Sequence, residues 1–550
     1  MTNHLYYGDN IQVLREHIAT ESVDLIYLDP PFNSQATYNV LFRSPAGEQS
    51  QAQIEAFEDT WHWNDSAERA FDEVMQSGNT DVAELLRTLR AFLKENDLMA
   101  YLTMMAVRLL ELHRVLKPTG SLYLHCDSTA SHYLKILMDG IFGVKYFRNE
   151  IIWKRTSAHS SAKRWGDVHD TLLFYTVSDS YLWNSLFQEH NPAHIKSKYT
   201  TKDDRGYFMP ADLTGAGQRS GYSGKSWRGF DPDKLSRHWA VPKKVSSEYV
   251  DFTDWDQLTT QEKLDRLDAA GLVYWPNKFR GFPRFKRYLS SGIPIQSVIT
   301  DLSPVNSQAQ ERLGYPTQKP LALLERIIQV SSNEGDLILD PFCGCGTTIH
   351  AAQKLGRRWI GIDITHLAIS LIEKRLKDAF PGIVFEVHGT PKDLAGARDL
   401  AKRDKYQFQW WAVSLVNAVP YGGKKKGADT GIDGLIYFKV EKNITEKAIV
   451  SVKGGGNVNV AMVRDLAHVV DREQAKIGVF ITLTEPTKPM QVEAVKAGFY
   501  ETDYGKYPKL QIITIEQLLS GQKPQMPLLD LSAFRKAAKE IKDNGNGHLF

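Results

Sequence analysis

At roughly 150 residues per domain, 550 residues are too many for one core and call for two to four. The 67 lysines and arginines stand against 65 aspartates and glutamates, a net charge of +2, so the overall balance does not announce a nucleic-acid binder and any polyanion surface must come from local clustering. No apolar run reaches the roughly 18 residues that cross a bilayer, Met1-Thr2-Asn3-His4 lacks the start of a signal peptide, and Cys126, Cys343 and Cys345 are too few for a disulfide framework; a cytosolic protein is expected, with no membrane partner.

In chain order, Leu5 to Asn10 is an extended piece that turns at Gly8 into a short helix bearing Ile11, Leu14 and Ile18, with Asp9 or Asn10 as its cap. Leu25-Ile26-Tyr27-Leu28 is a buried strand, stopped at a sheet edge by Asp29-Pro30-Pro31 because neither proline can donate to a ladder. The Asp29 carboxylate and the Pro30 carbonyl are then held facing a cleft, with the Pro31 ring stiffening the turn and Phe32 offering a flat face beside them. That combination suits a planar group bearing an amine. Asn33 to about Arg69 has no clear period and reads as a long loop over this corner. Apolar residues at helical spacing predict helices from Asp81 and over 98–116, followed by strands at 121–126, 150–153 and 171–177 and a helix over 131–141. Strand and helix in alternation predict a wound α/β sheet.

Between about Ser178 and Asp301 the alternation fails, and the densest part, Tyr274 to Tyr288, interleaves Lys278, Arg280, Arg284, Lys286 and Arg287 with aromatic rings and no acid. Such a stretch suits phosphates and unstacked bases; a basic hairpin packed on the sheet is the plainer alternative. The alternation resumes at Thr317-Gln318-Lys319-Pro320 and a helix, then the strand Leu337 to Asp340, the turn Pro341-Phe342-Cys343-Gly344-Cys345-Gly346-Thr347-Thr348 and another helix. A strand, a glycine turn and a helix start make a nucleotide cradle, flanked here by Asp340 and Thr347. The next strand, Arg358 to Asp363, ends in an acid placed for a ribose diol. The third glycine of the dinucleotide fingerprint is missing, which favours an adenosine ligand without a pyrophosphate.

Together, Asp29-Pro30-Pro31-Phe32 and Asp340-Pro341-Phe342-Cys343-Gly344-Cys345-Gly346 resemble the two hallmark motifs of the DNA amino-methyltransferases that use S-adenosylmethionine. The catalytic motif precedes the cofactor motif, as in the circularly permuted beta group. The likeness runs from about Leu5 to Lys377. It implies an α/β, circularly permuted Rossmann-like sheet with an irregular target-recognition insert. It places Asp363 on the ribose of the cofactor, Phe342, Gly344 and Gly346 around its pocket, Thr317 and Lys319 near its methionine end and Asp9 near its adenine. Asp29 with the Pro30 carbonyl would hold the target amine, and Phe32 would stack on the extruded base. In this family Asp at the first motif position goes with N6-adenine and Ser with N4-cytosine, so adenine in double-stranded DNA is the expected target, in a prokaryotic cytosol or nucleoid. A homodimer is compatible with it.

Gly389 to Asp404 reads as a polar connection. Beyond it, a helix over 406–418, the turn Lys424 to Gly434, strands at 435–440, 448–452 and 478–483 and a helix over 491–497 resemble the Mrr-like branch of the PD-(D/E)xK nuclease fold. In that resemblance Asp433 is a ligand for a divalent metal, Mg²⁺, and Lys453 orients the attacking water. Ser451 stands where the family has an acid or Gln, which weakens any metal site there. The expected division is a catalytic half over 1–177, an insert over 178–301, a cofactor half over 302–388, a linker over 389–404, a nuclease-like α/β domain over 405–525 and a tail over 526–550. A DNA methyltransferase with a non-cleaving appended module and a bifunctional restriction enzyme that also cuts are both consistent with this reading.

Overall fold

The computed structural model describes residues 2–31, 37–43, 49–58, 62–156, 163, 165–242, 254–275, 281–289, 292–306, 309, 311–313, 315, 317–421, 431–441, 444–503, 505–530 and 540, with backbone alone at 37–43, 49–58 and 441. Its described residues form two compact units, one within residues 1–184 and 296–546 and the other within residues 185–295.

The first unit is built on a sheet of β1 (Asn3–Tyr7), β2 (Val23–Leu28), β3 (Leu116–Cys126), β4 (Phe147–Lys154), β5 (His169–Thr176), β6 (Val298–Ile299), β7 (Leu337–Asp340), β8 (Arg358–Asp363) and β9 (Phe385–His388). Their spatial order is β6-β4-β5-β3-β2-β7-β8-β1-β9. All neighbours are parallel except β5, which runs against both β3 and β4. Alternation along β2 sends Ile26 and Leu28 to one face, where the helices Thr80–Leu93, Asp97–Val115 and Ser131–Phe142 cover them. Leu25 and Tyr27 go to the other face, under Leu321–Ser331, Thr347–Lys354 and His366–Ala379.

Two consequences bear on the site. β2 is a central strand rather than an edge strand: the prolines lie past its last pairing, so they end it at the carboxyl rim of the sheet without breaking a ladder. Its neighbour β7 is parallel to it, with Leu339 opposite Ile26, so the Asp29 corner and the turn after Asp340 emerge side by side although some three hundred residues separate them.

The expected loop over 33–69 instead contains an antiparallel pair, Thr37–Arg43 with Gln49–Glu58, and a helix Asp65–Gln76 capped by the Asn64 side chain. Thr37–Arg43 and Gln49–Glu58 show no steady two-residue alternation of apolar and polar residues to read. The expected linker over 389–404 is largely a helix, Leu394–Arg403, capped by Asp393 and burying Ala397 and Leu400. Only one short apolar stripe marks it, too little to stand out among charges.

The C-terminal α/β domain follows. Strands β10 (Val419–Pro420), β11 (Gly434–Glu441), β12 (Ile444–Lys453), β13 (Ile477–Thr482) and β14 (Leu510–Thr514) lie in that order, with β12, β13 and β14 parallel. The helix Val460–Arg472 and the strand β14 had no counterpart in the sequence reading. Its helix Lys405–Ser414 packs on the main sheet's side of the unit. Gln407 Oε1 accepts the backbone N–H of His366 at 2.9 Å, and Trp410 is buried against Leu313, Tyr315, Cys345 and Leu367.

The second unit has a four-stranded sheet and its own core of Leu213, Trp227, Trp239, Trp255, Leu264, Leu267 and Phe285.

Candidate active site

The two corners open on one cleft of about 280 Å³, lined from one side by Tyr27, Asp29, Pro30 and Pro31 and from the other by Asp340 to Cys345, Thr347 and Asp363. Asp9, Thr317 and Lys319 line it as well. All the expected residues of both motifs therefore meet here, except that Gly346 sits just behind the wall and Phe32 lies outside the described residues.

Asp29 carries the sharpest asymmetry. Its Oδ2 accepts from Lys319 Nζ, whereas Oδ1, also buried, has no hydrogen-bond partner among the described residues. Lys319 thus pairs with the acid of the first corner while lining the same cleft as the glycine turn. A buried acceptor without a donor costs about 1–3 kcal/mol, and such a cost persists where a ligand supplies the donor. Behind the corner, the Tyr27 hydroxyl bonds His125 Nδ1 at 2.8 Å, His125 Nε2 bonds Asp170 Oδ2 at 3.1 Å, and Arg155 pairs with Asp170 at 3.0 Å. This buried chain fixes the last residues of β2 and β3; no periodicity in the sequence announces it.

On the other side, Asp363 Oδ2 accepts the Gly344 N–H at 2.9 Å and Oδ1 accepts both the N–H and the hydroxyl of Thr365 at 2.9 Å. Gly346 has φ +73°, and a Cβ there would come within 2.8 Å of Ile372, so only glycine fits both the backbone and the space. Burial pushes the Asp363 carboxyl up to about 6 and that of Asp340 up to about 7, with the Asp29 charge adding to the Asp340 shift. Thr317 is held at φ +62°, a left-handed conformation that is uncommon for a β-branched residue.

The sequence reading missed Arg108. From the second long helix it donates to Asn10 Oδ1 at 2.8 Å and to Asp9 Oδ1 at 3.2 Å, while Asn10 donates to the Pro341 carbonyl at 3.0 Å. Asp9 caps its helix through Ile11 N and so has both roles, cap and pocket wall. The available signal was an arginine in the apolar middle of a helix that is buried nearly all round, since a buried charge needs a partner. Ile364 was missed too: 62% exposed beside Asp363, it presents an apolar face at the rim of the cleft.

In the second unit, Lys278 and Arg280 lie outside the described residues. Arg284, Lys286 and Arg287 fall on the strand Arg284–Tyr288, where Lys286 pairs with Asp203 at 2.8 Å and Arg284 approaches Asp212 at 3.6 Å. Arg287 is exposed with no ion pair among the described residues. Trp275 stacks on Trp227, and Phe285 is buried in the core, so these rings serve packing first.

In the C-terminal domain both oxygens of Asp433 are engaged: Oδ1 accepts from Gln409 Nε2 at 3.1 Å, and Oδ2 accepts from Val452 N at 2.6 Å, with the Ser451 hydroxyl at 3.5 Å. Lys453 ends the strand that carries Ser451. Lys424 to Lys426 lie outside the described residues.

A sequence family described as DNA methylase matches residues 23–374, and one described as NACHT-associated inactive Restriction Endonuclease 1 matches residues 413–520. The type II methyltransferase M.EcaI of Enterobacter cloacae is 33% identical over 279 residues, 50% of this chain and 57% of that protein. The DNA adenine methyltransferase YhdJ of Escherichia coli K12 is 24% identical over 402 residues, 73% of this chain and 91% of that protein. The chain spans about half the length of M.EcaI and of other curated relatives it matches. Among solved structures, the M1.HpyAVI–SAM complex covers 68% of this chain and 98% of its own at a TM-score of 0.30 and 14% identity.

Proposed function

The chain belongs to the DNA methylase family across residues 23–374, and from that premise we propose that it methylates the N6 amine of adenine in DNA with S-adenosylmethionine. The observation that carries this reading is Asp29 Oδ1, a buried acceptor without a donor in the cleft that also holds the glycine turn and Asp363.

The donor set fits that cofactor. Asp363 would accept from the ribose hydroxyls and Ile364 would lie against the adenine, with Asp340 adding a carboxylate to the same wall of the cleft. When bound, the cofactor supplies an electrophilic methyl group. Asp29 Oδ1 and the Pro30 carbonyl accept the two hydrogens of the exocyclic amine, which draws the nitrogen lone pair out of conjugation with the ring. Lys319 keeps the carboxylate in place by occupying its other oxygen. The proton left on the methylated nitrogen is released on the Asp29 side. A base inside a duplex cannot reach this geometry, so the adenine must be extruded. Arg287, exposed on the insert, is a candidate for phosphate contact.

Adenine is favoured over cytosine by the aspartate at position 29 and by the likeness to a relative named as an adenine methyltransferase. Transfer of labelled methyl to unmethylated DNA, followed by nucleoside chromatography, decides it: N6-methyladenine is expected, and N4-methylcytosine would overturn the assignment.

Cofactor affinity should depend on pH with a definite sign. Hydrogen bonds from the ribose and the nearby positive charge favour the ionised carboxylates, so binding lowers pKa values that burial has raised to about 6 at Asp363 and about 7 at Asp340. Affinity is full above about 7 and falls as pH drops through 7 and then 6, approaching roughly tenfold per pH unit for each proton taken up. For the ligand-free chain the sign reverses: the raised carboxyls stabilise the fold at low pH and lose that contribution as pH rises through about 6 to 7. Titration calorimetry between pH 5 and 8 should show protons released on binding, and Asp363→Asn should flatten the profile.

We further propose that the C-terminal domain does not cut. Asp433 spends its oxygens on Gln409, Ser451 and Val452, and no acid stands beside it at position 451. Supercoiled unmethylated plasmid incubated with Mg²⁺ should stay intact; cutting that Asp433→Ala abolishes would establish the bifunctional enzyme instead.

A further inference from the structure

We infer that His4, Glu386 and His388 form a binding site for one divalent transition-metal ion of the zinc class. The three residues lie on β1 and β9, the parallel pair at one edge of the main sheet, where His4 stands opposite Glu386 and Tyr6 opposite His388. Two-residue alternation brings all three side chains to the same face.

Their donor atoms form a nearly equilateral triangle. His4 Nδ1 is 3.1 Å from His388 Nε2 and 3.8 Å from Glu386 Oε2, and His388 Nε2 is 3.5 Å from the same oxygen. Two ligand atoms held about 2.0–2.1 Å from a tetrahedral zinc ion are about 3.3 Å apart, and the three edges bracket that separation. Hydrogen bonding accounts for the arrangement less well. The ring pair can share one proton, but both nitrogen–oxygen separations exceed the usual 2.7–3.2 Å range. One ion touching all three atoms satisfies every donor at once.

The ligands are also held in place. The Tyr6 ring stacks on His388 with centroids 4.5 Å apart and on His17 at 5.3 Å, both at 19° between planes, so His388 is braced from behind. The side chains of His4 and His388 are 31% exposed and that of Glu386 is 56% exposed, which leaves an entry path and a fourth direction open to water. Two imidazoles and one carboxylate suit divalent first-row transition ions, Zn²⁺ among them; Mg²⁺ and Ca²⁺ require more oxygen ligands. The site is independent of the carboxylate at Asp433.

Its position gives it a consequence. β1 runs directly into Gly8, Asp9 and Asn10, one wall of the cleft, and β9 is the last strand of the catalytic sheet before the C-terminal domain. An ion here fastens the cleft-bearing strand β1 to the edge strand β9 and stabilises the folded chain by mass action.

The test uses the full chain without a histidine tag, stripped by chelator. Zn²⁺ titrated by calorimetry should bind one per chain and raise Tm by several degrees, and Co²⁺ should give the intense visible absorption of a four-coordinate site. His4→Ala and His388→Ala should each weaken Zn²⁺ binding at least 100-fold, Glu386→Gln about 10-fold, which keeps the shape while removing the charge, and His132→Ala, at an exposed histidine on the helix Ser131–Phe142, should leave it unchanged. Equal Zn²⁺ uptake by the wild type and the His4→Ala/His388→Ala pair, no uptake at micromolar Zn²⁺, or an equal Tm rise with Mg²⁺ would each overturn the assignment.

Discussion

Asp29→Ala should abolish methyl transfer by a factor of about 10³ while leaving cofactor binding nearly intact, because it removes the group that orients the target amine and none that touches the ribose or adenine. The same change leaves Lys319 without its ion-pair partner, in a place where its side chain is only 9% exposed. Stripping one partner from a buried pair costs about 3–5 kcal/mol, so the single variant should also lose Tm. The two effects separate in the double variant Asp29→Ala/Lys319→Met. An apolar side chain of similar length removes the stranded charge, so thermal stability should return while activity stays absent. If activity returned with stability, Asp29 would be a structural acid and the proposed chemistry would fail. Single-turnover transfer of labelled methyl, alongside calorimetry with the cofactor and a melting curve, reads all three quantities.

Trp410→Ala should cost about 3–5 kcal/mol of stability, the usual range for emptying a buried tryptophan site. It should also weaken the cofactor about tenfold or more in Kd, although residue 410 lies well past the segment that matches the methylase family. Trp410 packs against Tyr315, Cys345 and Leu367, and Tyr315 lies so close to Gly344 that a Cβ there would sit 3.3 Å from its ring. Removing the indole therefore frees the residues that shape the glycine turn. Trp410→Phe, which refills part of the volume, should recover most of both losses. Unchanged cofactor affinity in Trp410→Ala would mean that the C-terminal domain is a passenger on the catalytic fold. The helix Lys405–Ser414 has a second hold on the same region, since Gln407 accepts the N–H that begins the helix after Asp363. Gln407→Ala should add to the effect, without full additivity because the two contacts share one surface.

Sequence patterns disclosed much of the catalytic half. Helices with a wide apolar stripe, such as Asp97–Val115, and buried strands bounded by Gly or Pro, such as Leu337–Asp340, announce themselves because burial imposes a period that composition must obey. The strand pair Thr37–Arg43 with Gln49–Glu58 and the helix Leu394–Arg403 carry little of that period, and both escaped it. In the insert, the run of basic and aromatic residues was visible, yet Lys286 and Arg284 face Asp203 and Asp212, acids some seventy to eighty positions earlier that no local window includes.

The division between the two levels has a physical origin. Backbone rules act locally: prolines after Asp29, glycines at positive φ in the turn and an acid at the tip of β8 are chosen by the bonds each residue can make with its own chain. Those rules were enough to name Asp29, Gly344, Gly346 and Asp363. Tertiary structure alone decided which partners meet them. That Lys319 takes one oxygen of Asp29 and leaves the other open, that Arg108 ties Asp9 to Asn10, and that His4 comes within 3.1 Å of His388 across 384 positions all follow from the strand order of the sheet, a long-range property fixed by how buried faces fit together.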